Sequence, residues 1–148
     1  MAIKTVLVVG SDGEYEQLQP GDTINAYSST IDVYSFTNGE ATAITKGMVV
    51  YIDAANSVKK ARANAGATSH AYGLVIDASV AAGGSAFIAT DGVITGLSGG
   101  TAGATAWLDA ATAGAITTTP PTSGYQVKVG TWLSATELEL GFGHYTRL

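Results

Sequence analysis

Apolar and polar positions alternate most cleanly near the end of the chain. Leu138, Leu140 and Phe142 fall on one face of a strand, and Glu137, Glu139 and Gly141 on the other, which is the period-two pattern of a half-buried β-strand. Ala86 and Ile88 alternate with Phe87 and Ala89 in the same way, and Asp91-Gly92 turns that run into Val93 to Thr95. Ala71 to Asp77 reads as a strand, and Gly73 in its middle predicts a bulge or a close backbone approach. Upstream, Ile31, Val33 and Tyr34 to Phe36 lead to Asn38-Gly39, a strong reverse-turn pair. Ile3 to Val9 followed by Glu14 to Gln19 reads as a two-stranded ribbon that is marginal without a partner. The last residues, His144 to Leu148, read as a short tail that docks or frays.

No window carries the 3.6-residue period of an amphipathic helix. Short strands with turns about every 8 to 12 residues predict an all-β fold, a small antiparallel β-sandwich or barrel. The Ser/Thr-rich stretch Asn25 to Thr30 separates an extended N-terminal arm and linker, residues 1–30, from a β-rich body, residues 31–148. Within the body, Gly47-Met48-Val49-Val50-Tyr51-Ile52-Asp53-Ala54-Ala55 returns as Gly103-Ala104-Thr105-Ala106-Trp107-Leu108-Asp109-Ala110-Ala111. Each copy is followed by a tyrosine-bearing run, around Tyr72 and Tyr125 respectively. Two related sheet units are expected, whether by internal duplication or by convergent strand-and-turn chemistry.

Composition narrows the picture. With 19 glycines, 3 phenylalanines and 2 tryptophans in 148 residues, the side chains available to fill an interior are small. Such a body gains from burying more surface against copies of itself or a host surface. Charged residues are 13% of the chain, about half the usual share. The net charge of -5 is concentrated at the front, where residues 1–40 hold Lys4 against Asp12, Glu14, Glu16, Asp22, Asp32 and Glu40. An acidic leading segment on a neutral body argues against nucleic acid and anionic membrane as partners. There is no cysteine, which removes disulfides and thiolate metal sites. The apolar run Val6 to Val9 is too short for a signal-peptide core, so synthesis in the cytoplasm without export is expected.

Little in the chain points to catalysis. His70 and His144 have no spacing that brings them together, and surface or interface roles are expected for both. Asp53 and Asp109 follow their strands directly and are expected to accept turn N–H groups rather than act as a catalytic pair. Gly83-Gly84 and Gly99-Gly100 lack the lysine and helix of a phosphate loop. Lys59, Lys60 and Arg62 are expected to guard an exposed strand edge. No enzyme activity, cofactor or metal is expected. Seven tyrosines against three phenylalanines form a polar-rimmed aromatic set of the kind enriched at interfaces. Tyr15, Leu18, Tyr27 and Tyr34 are the candidate interface residues, and Trp107 and Trp132 the expected core anchors.

The opening Met1-Ala2-Ile3-Lys4-Thr5-Val6-Leu7-Val8, with Gly13 to Ile24, resembles the leading segments of phage head-decoration and tail-fibre proteins. Ala71-Tyr72-Gly73-Leu74-Val75-Ile76-Asp77, Gly92 to Leu97, Gly103 to Ala111, Ile116 to Pro121 and Val127 to Leu140 resemble tailed-bacteriophage capsid decoration domains of the cement or head-fibre kind. The resemblance implies a β-rich, trimeric, non-enzymatic protein of the virion that seats on the outer capsid surface against the major capsid protein and reinforces the shell. The alternative it leaves open is a tail-fibre or head-fibre module that binds a host receptor or glycan, with tyrosines and Trp132 stacking on sugar. A polysaccharide depolymerase would need two carboxylates about 5 to 9.5 Å apart, and no pair in the chain suggests itself.

Overall fold

Strand pairing closes part of the chain into a barrel and lays the rest against it as an open sheet. The computed structural model describes residues 31–148, apart from the side chain of His144, and the backbone of two earlier strands, β1 (Leu7–Val9) and β2 (Tyr15–Gln17). Those two form an antiparallel ribbon with Val8 opposite Glu16. The body continues with β3 (Asp32–Asn38), β4 (Ile44–Thr45), β5 (Val49–Ala54), β6 (Ser57–Lys60), a 3-10 turn (Gly66–Thr68) and β7 (Gly73–Val75). It ends with β8 (Ser79–Val80), β9 (Ser85–Asp91), β10 (Val93–Ile94), β11 (Thr105–Leu108), β12 (Ile116–Thr117), β13 (Tyr125–Trp132) and β14 (Leu138–Arg147). The all-β class expected from the period-two pattern is what the chain adopts.

The barrel has the closed order β3-β6-β5-β7-β9, and the second sheet the order β10-β14-β13-β11-β12. One pairing departs from the antiparallel expectation: β3 runs parallel to β6, with Thr37 beside Ser57 and Asn38 beside Val58. A parallel pair needs a crossover connection, and β4 and β5 supply it here. β3 covers the expected edge only at Ser57 and Val58, so Lys59 and Lys60 lie past that pairing and Arg62 past the end of β6. Each charge is tied locally: Lys59 to Asp53, Lys60 Nζ to Thr42, and Arg62 Nε to the Ala110 carbonyl.

Two layers of core follow from the alternation. Inside the barrel lie Ile44, Val50, Val58, Val75, Val80, Ala86 and Ile88, with Phe36, Met48 and Tyr72 packed against them. Between barrel and sheet lie Val49, Leu74 and Ala89 from one side and Ile94, Ala106, Leu108, Val129, Trp132, Leu138 and Leu140 from the other. Strands β5 and β7 therefore present apolar residues to both layers, which is why Val49-Val50 and Leu74-Val75 are consecutive buried pairs.

Gly73 fulfils its expectation of close approach, since a Cβ there would lie 2.5 Å from Ile88 Cγ2 and 2.6 Å from the Ala89 carbonyl. The flanks of the expected Ala71 to Asp77 strand are irregular. Ile76 N–H bonds the Phe87 carbonyl, and the Asp77 carboxylate accepts the Phe87 N–H at 2.6 Å, so a side chain replaces the next rung of the ladder. The expected tail is part of β14, paired through Tyr125 opposite Arg147 and Val127 opposite Tyr145. Trp132 anchors the core at 3% exposure, but Trp107 does not. Ala106 and Leu108 take the inward positions of β11 and leave Trp107 half-buried on the opposite face.

The two similar sequence units occupy matching places. β5 lies between its hairpin partner β6 and the tyrosine-bearing run at β7, and β11 lies between β12 and β13. They meet through backbone bonds from Val49 N–H to the Gly114 carbonyl and from Ala63 N–H to the Asp109 carbonyl.

Candidate functional site

Surface features of four kinds stand out on the body: an apolar strip, a stack of aromatic rings, a polar hairpin and a groove. The strip follows from the sequence of β9, which is apolar on both faces. In the register of β3 with β9, Val33 faces Ala89 and Ser35 faces Phe87, so Val33 and Phe87 are diagonal neighbours on one face. That face turns away from the barrel interior, which takes Ala86 and Ile88. Val33 is 38% exposed and Phe87 50%, and Ile31, which enters β3, is 40% exposed.

Among the four candidate interface residues, Tyr34 lies in β3 opposite Ile88 and is exposed. Tyr15 falls in β2, where only the backbone is described, and Leu18 and Tyr27 lie outside the described residues. Tyr34 follows Val33 in β3 and, paired with Ile88, projects from the face of the strand opposite to the Val33–Phe87 strip, and the strip itself was not singled out in the sequence. The alternation of Ala86, Phe87, Ile88 and Ala89 was its signal: four apolar residues in succession cannot all enter one core.

The ring stack was invisible in the sequence, because its members come from distant segments. His70, after the 3-10 turn, lies on Tyr145 of β14 with centroids 4.7 Å apart, and Tyr125 of β13 lies 5.0 Å from Tyr145. Ser69 Oγ donates to the Tyr145 hydroxyl at 3.2 Å. His70 is thus a surface residue engaged with an aromatic neighbour.

The two aspartates of the repeat differ. Asp109 accepts the Ala111 N–H at 2.7 Å, as a turn carboxylate should. Asp53 lies 3.2 Å from Lys59 Nζ across the β5-β6 hairpin, whose turn places Asn56 at φ 56°. Partial burial pushes the Asp53 carboxyl up, but hydrogen bonds from Ser57 and Lys59 and the Lys59 charge outweigh it and hold the group below its ordinary value. The Asp53 hydrogen bond and charge raise Lys59 above its own. These are the interactions of a surface hairpin, and they leave no general acid poised near neutrality.

The groove, of about 440 Å3, runs between the Thr45–Met48 turn and β12, and Leu97, Gly99 and Trp132 also border it. Its polar groups are mostly threonine hydroxyls and backbone. Trp132 cannot serve there as a sugar platform: its ring is buried under Gly100, where an added Cβ would collide with Cε3. Among the described residues no group of three or more His, Asp or Glu is placed to hold a metal ion, and no helix is long and apolar enough to cross a membrane. No protein-family model matches the chain, and no curated protein matches it.

Proposed function

We propose that this chain is a virion structural protein that binds the outer surface of a mature phage capsid and stabilises the shell, acting as a homotrimer made in the host cytoplasm. The observation that carries the reading is the exposed strip of Val33 and Phe87 near the start of the body, with Tyr34 exposed on the opposite face of β3. An apolar patch next to the entry of an acidic arm suits a surface that is covered in the assembled state. The resemblance of the chain to decoration proteins supplies the host surface, the major capsid protein. The stabilisation is linkage: a protein that binds only the mature lattice at about 100 times its Kd adds about 2.7 kcal/mol per site. The burial of Trp132 removes one platform that a glycan-binding fibre module would use.

Co-sedimentation with mature and unexpanded capsids lacking the protein tests this reading. The intact protein is expected to pellet with mature shells and to raise their melting temperature, and Phe87→Glu is expected to stay folded and remain in the supernatant. Failure of the intact protein to bind either shell would overturn the proposal, and binding to a bacterial surface polysaccharide instead would favour the fibre module.

A further inference from the structure

Among the described residues, the open sheet has a long unpaired edge: β14 is paired on its outer side at Leu138 and Glu139 only, with β10, and Leu140 N–H reaches the Gly92 carbonyl. At the other end, Leu148 N–H bonds the Gly124 carbonyl, and the register continues as Arg147 opposite Tyr125, Thr146 opposite Gln126 and Tyr145 opposite Val127. In an antiparallel ladder the bonded residues alternate. Thr146 is therefore turned toward β13, while the N–H and C=O groups of Tyr145 and Arg147 point outward, where no described strand meets them. Tyr145, Thr146 and Arg147 are all exposed. Edges of this kind are normally shortened, crowded with charge or covered, and this one bears a single arginine and no acidic side chain from Gly141 to Leu148.

The ribbon of β1 and β2 presents the complementary problem. It pairs with no other described strand, and a lone two-stranded ribbon is marginal in water. β2 is three residues long, the length of the Tyr145 to Arg147 edge, and it carries Glu16 and is preceded by Glu14. The 13 residues from Leu18 to Thr30 span up to about 43 Å when extended at about 3.3 Å each, more than the diameter of a body with a radius of gyration of about 13 Å. We propose that the ribbon of one copy docks along the Tyr145–Arg147 edge of a second copy, extending its open sheet by two strands. Each copy then offers one ribbon and accepts one, a head-to-tail contact of the kind that builds a ring when the rotation between copies closes. The shell plays no part in this contact, so it stands or falls separately from capsid binding.

The test uses the full chain alone, by solution mass and residue-resolved amide exchange. The expected result is an oligomer in which the Tyr145 and Arg147 amides exchange about tenfold or more slowly than in a Glu14→Lys, Glu16→Lys variant. Arg147→Pro, which removes an outward N–H and leaves the bonds to β13, is expected to be a monomer with Thr146 still protected. Unprotected Tyr145 and Arg147 amides in the intact oligomer would overturn the proposal. Protection in a chain that stays monomeric would overturn it too, by assigning the edge to the chain's own ribbon, and so would an Arg147→Pro protein that still assembles.

Discussion

The imidazole of His70 lies flat on the ring of Tyr145, with centroids 4.7 Å apart and planes inclined by 9°. This contact fastens the last strand to the segment after the 3-10 turn, and the Ser69 to Tyr145 hydrogen bond reinforces it. Tyr145→Ala removes both ring contacts and the hydrogen bond and is expected to cost about 1 to 3 kcal/mol. Tyr145→Phe keeps the rings and is expected to cost about 1 kcal/mol or less. Urea unfolding of both variants separates the two contributions. Equal losses would mean that the stack contributes nothing.

Gly73 holds β7 against β9 at a distance that no other residue permits. With Ile88 Cγ2 at 2.5 Å and the Ala89 carbonyl at 2.6 Å from the place of a Cβ, Gly73→Ala must spread two neighbouring barrel strands. Overpacking of this kind costs about 1 to 3 kcal/mol, and the backbone contact puts Gly73 at the upper end. The expected result is a lower denaturation midpoint with an unchanged slope. An unchanged midpoint would show that the barrel yields at β9 without cost.

The close approach at Gly73 and the buried face of β14 were legible because each depends on residues within one strand. Pairing partners were not. The closing contact of β3 with β6 joins Asn38 to Val58 across an intervening strand pair, and nothing local encodes it. The same gap explains the tryptophans: both sit in strands, and only the register with the neighbouring sheet decides that Trp132 turns inward and Trp107 does not. Phe87 was readable as one of two apolar faces of β9, but which face would be covered depends on where the barrel closes. For the interface residues, Tyr34 is exposed as an interface position requires, while Tyr15, Leu18 and Tyr27 offer no described side chain to compare.

The Asp53–Lys59 pair gives a pH dependence of defined sign. Asp53 titrates below its ordinary 3.8 in the folded chain, so its contribution is present above the unfolded value and is lost as pH falls through the folded one. Lys59 titrates above its ordinary 10.5, so its contribution is present below that value and is lost as pH rises beyond it. The pair is at the surface, and salt screens it. Asp53→Asn is therefore expected to be slightly less stable than the parent at pH 7 in low salt, with the gap narrowing as pH falls below 3.8 and closing in 1 M salt. Thermal melts along an acid series and in high salt check it. A gap that does not narrow on acidification would mean that ionisation of Asp53 contributes nothing to stability.

Asn38 closes one end of the barrel, and its substitution by aspartate should reverse the usual response to acid. The side chain is 1% exposed. Nδ2 donates to the carbonyls of Thr42 and Val80, both at 3.0 Å, and Oδ1 accepts the Glu40 N–H at 3.0 Å. Asn38→Leu leaves the buried Val80 carbonyl without its partner, together with the part-buried Thr42 carbonyl and Glu40 N–H, a loss of about 1 to 3 kcal/mol. Asn38→Asp keeps the shape and the acceptor but turns a carboxylate oxygen toward two carbonyl oxygens. Burial and that repulsion both raise the folded pKa of the introduced acid, so its penalty is full at neutral pH and shrinks as pH falls and a proton restores one donor. The expected outcome is an Asn38→Asp protein less stable than the parent at pH 7, with the gap narrowing by pH 4, measured by urea unfolding at both values. A gap that stays constant or widens on acidification would mean that the side chain has left the barrel end and that the Val80 and Thr42 bonds do not hold it there.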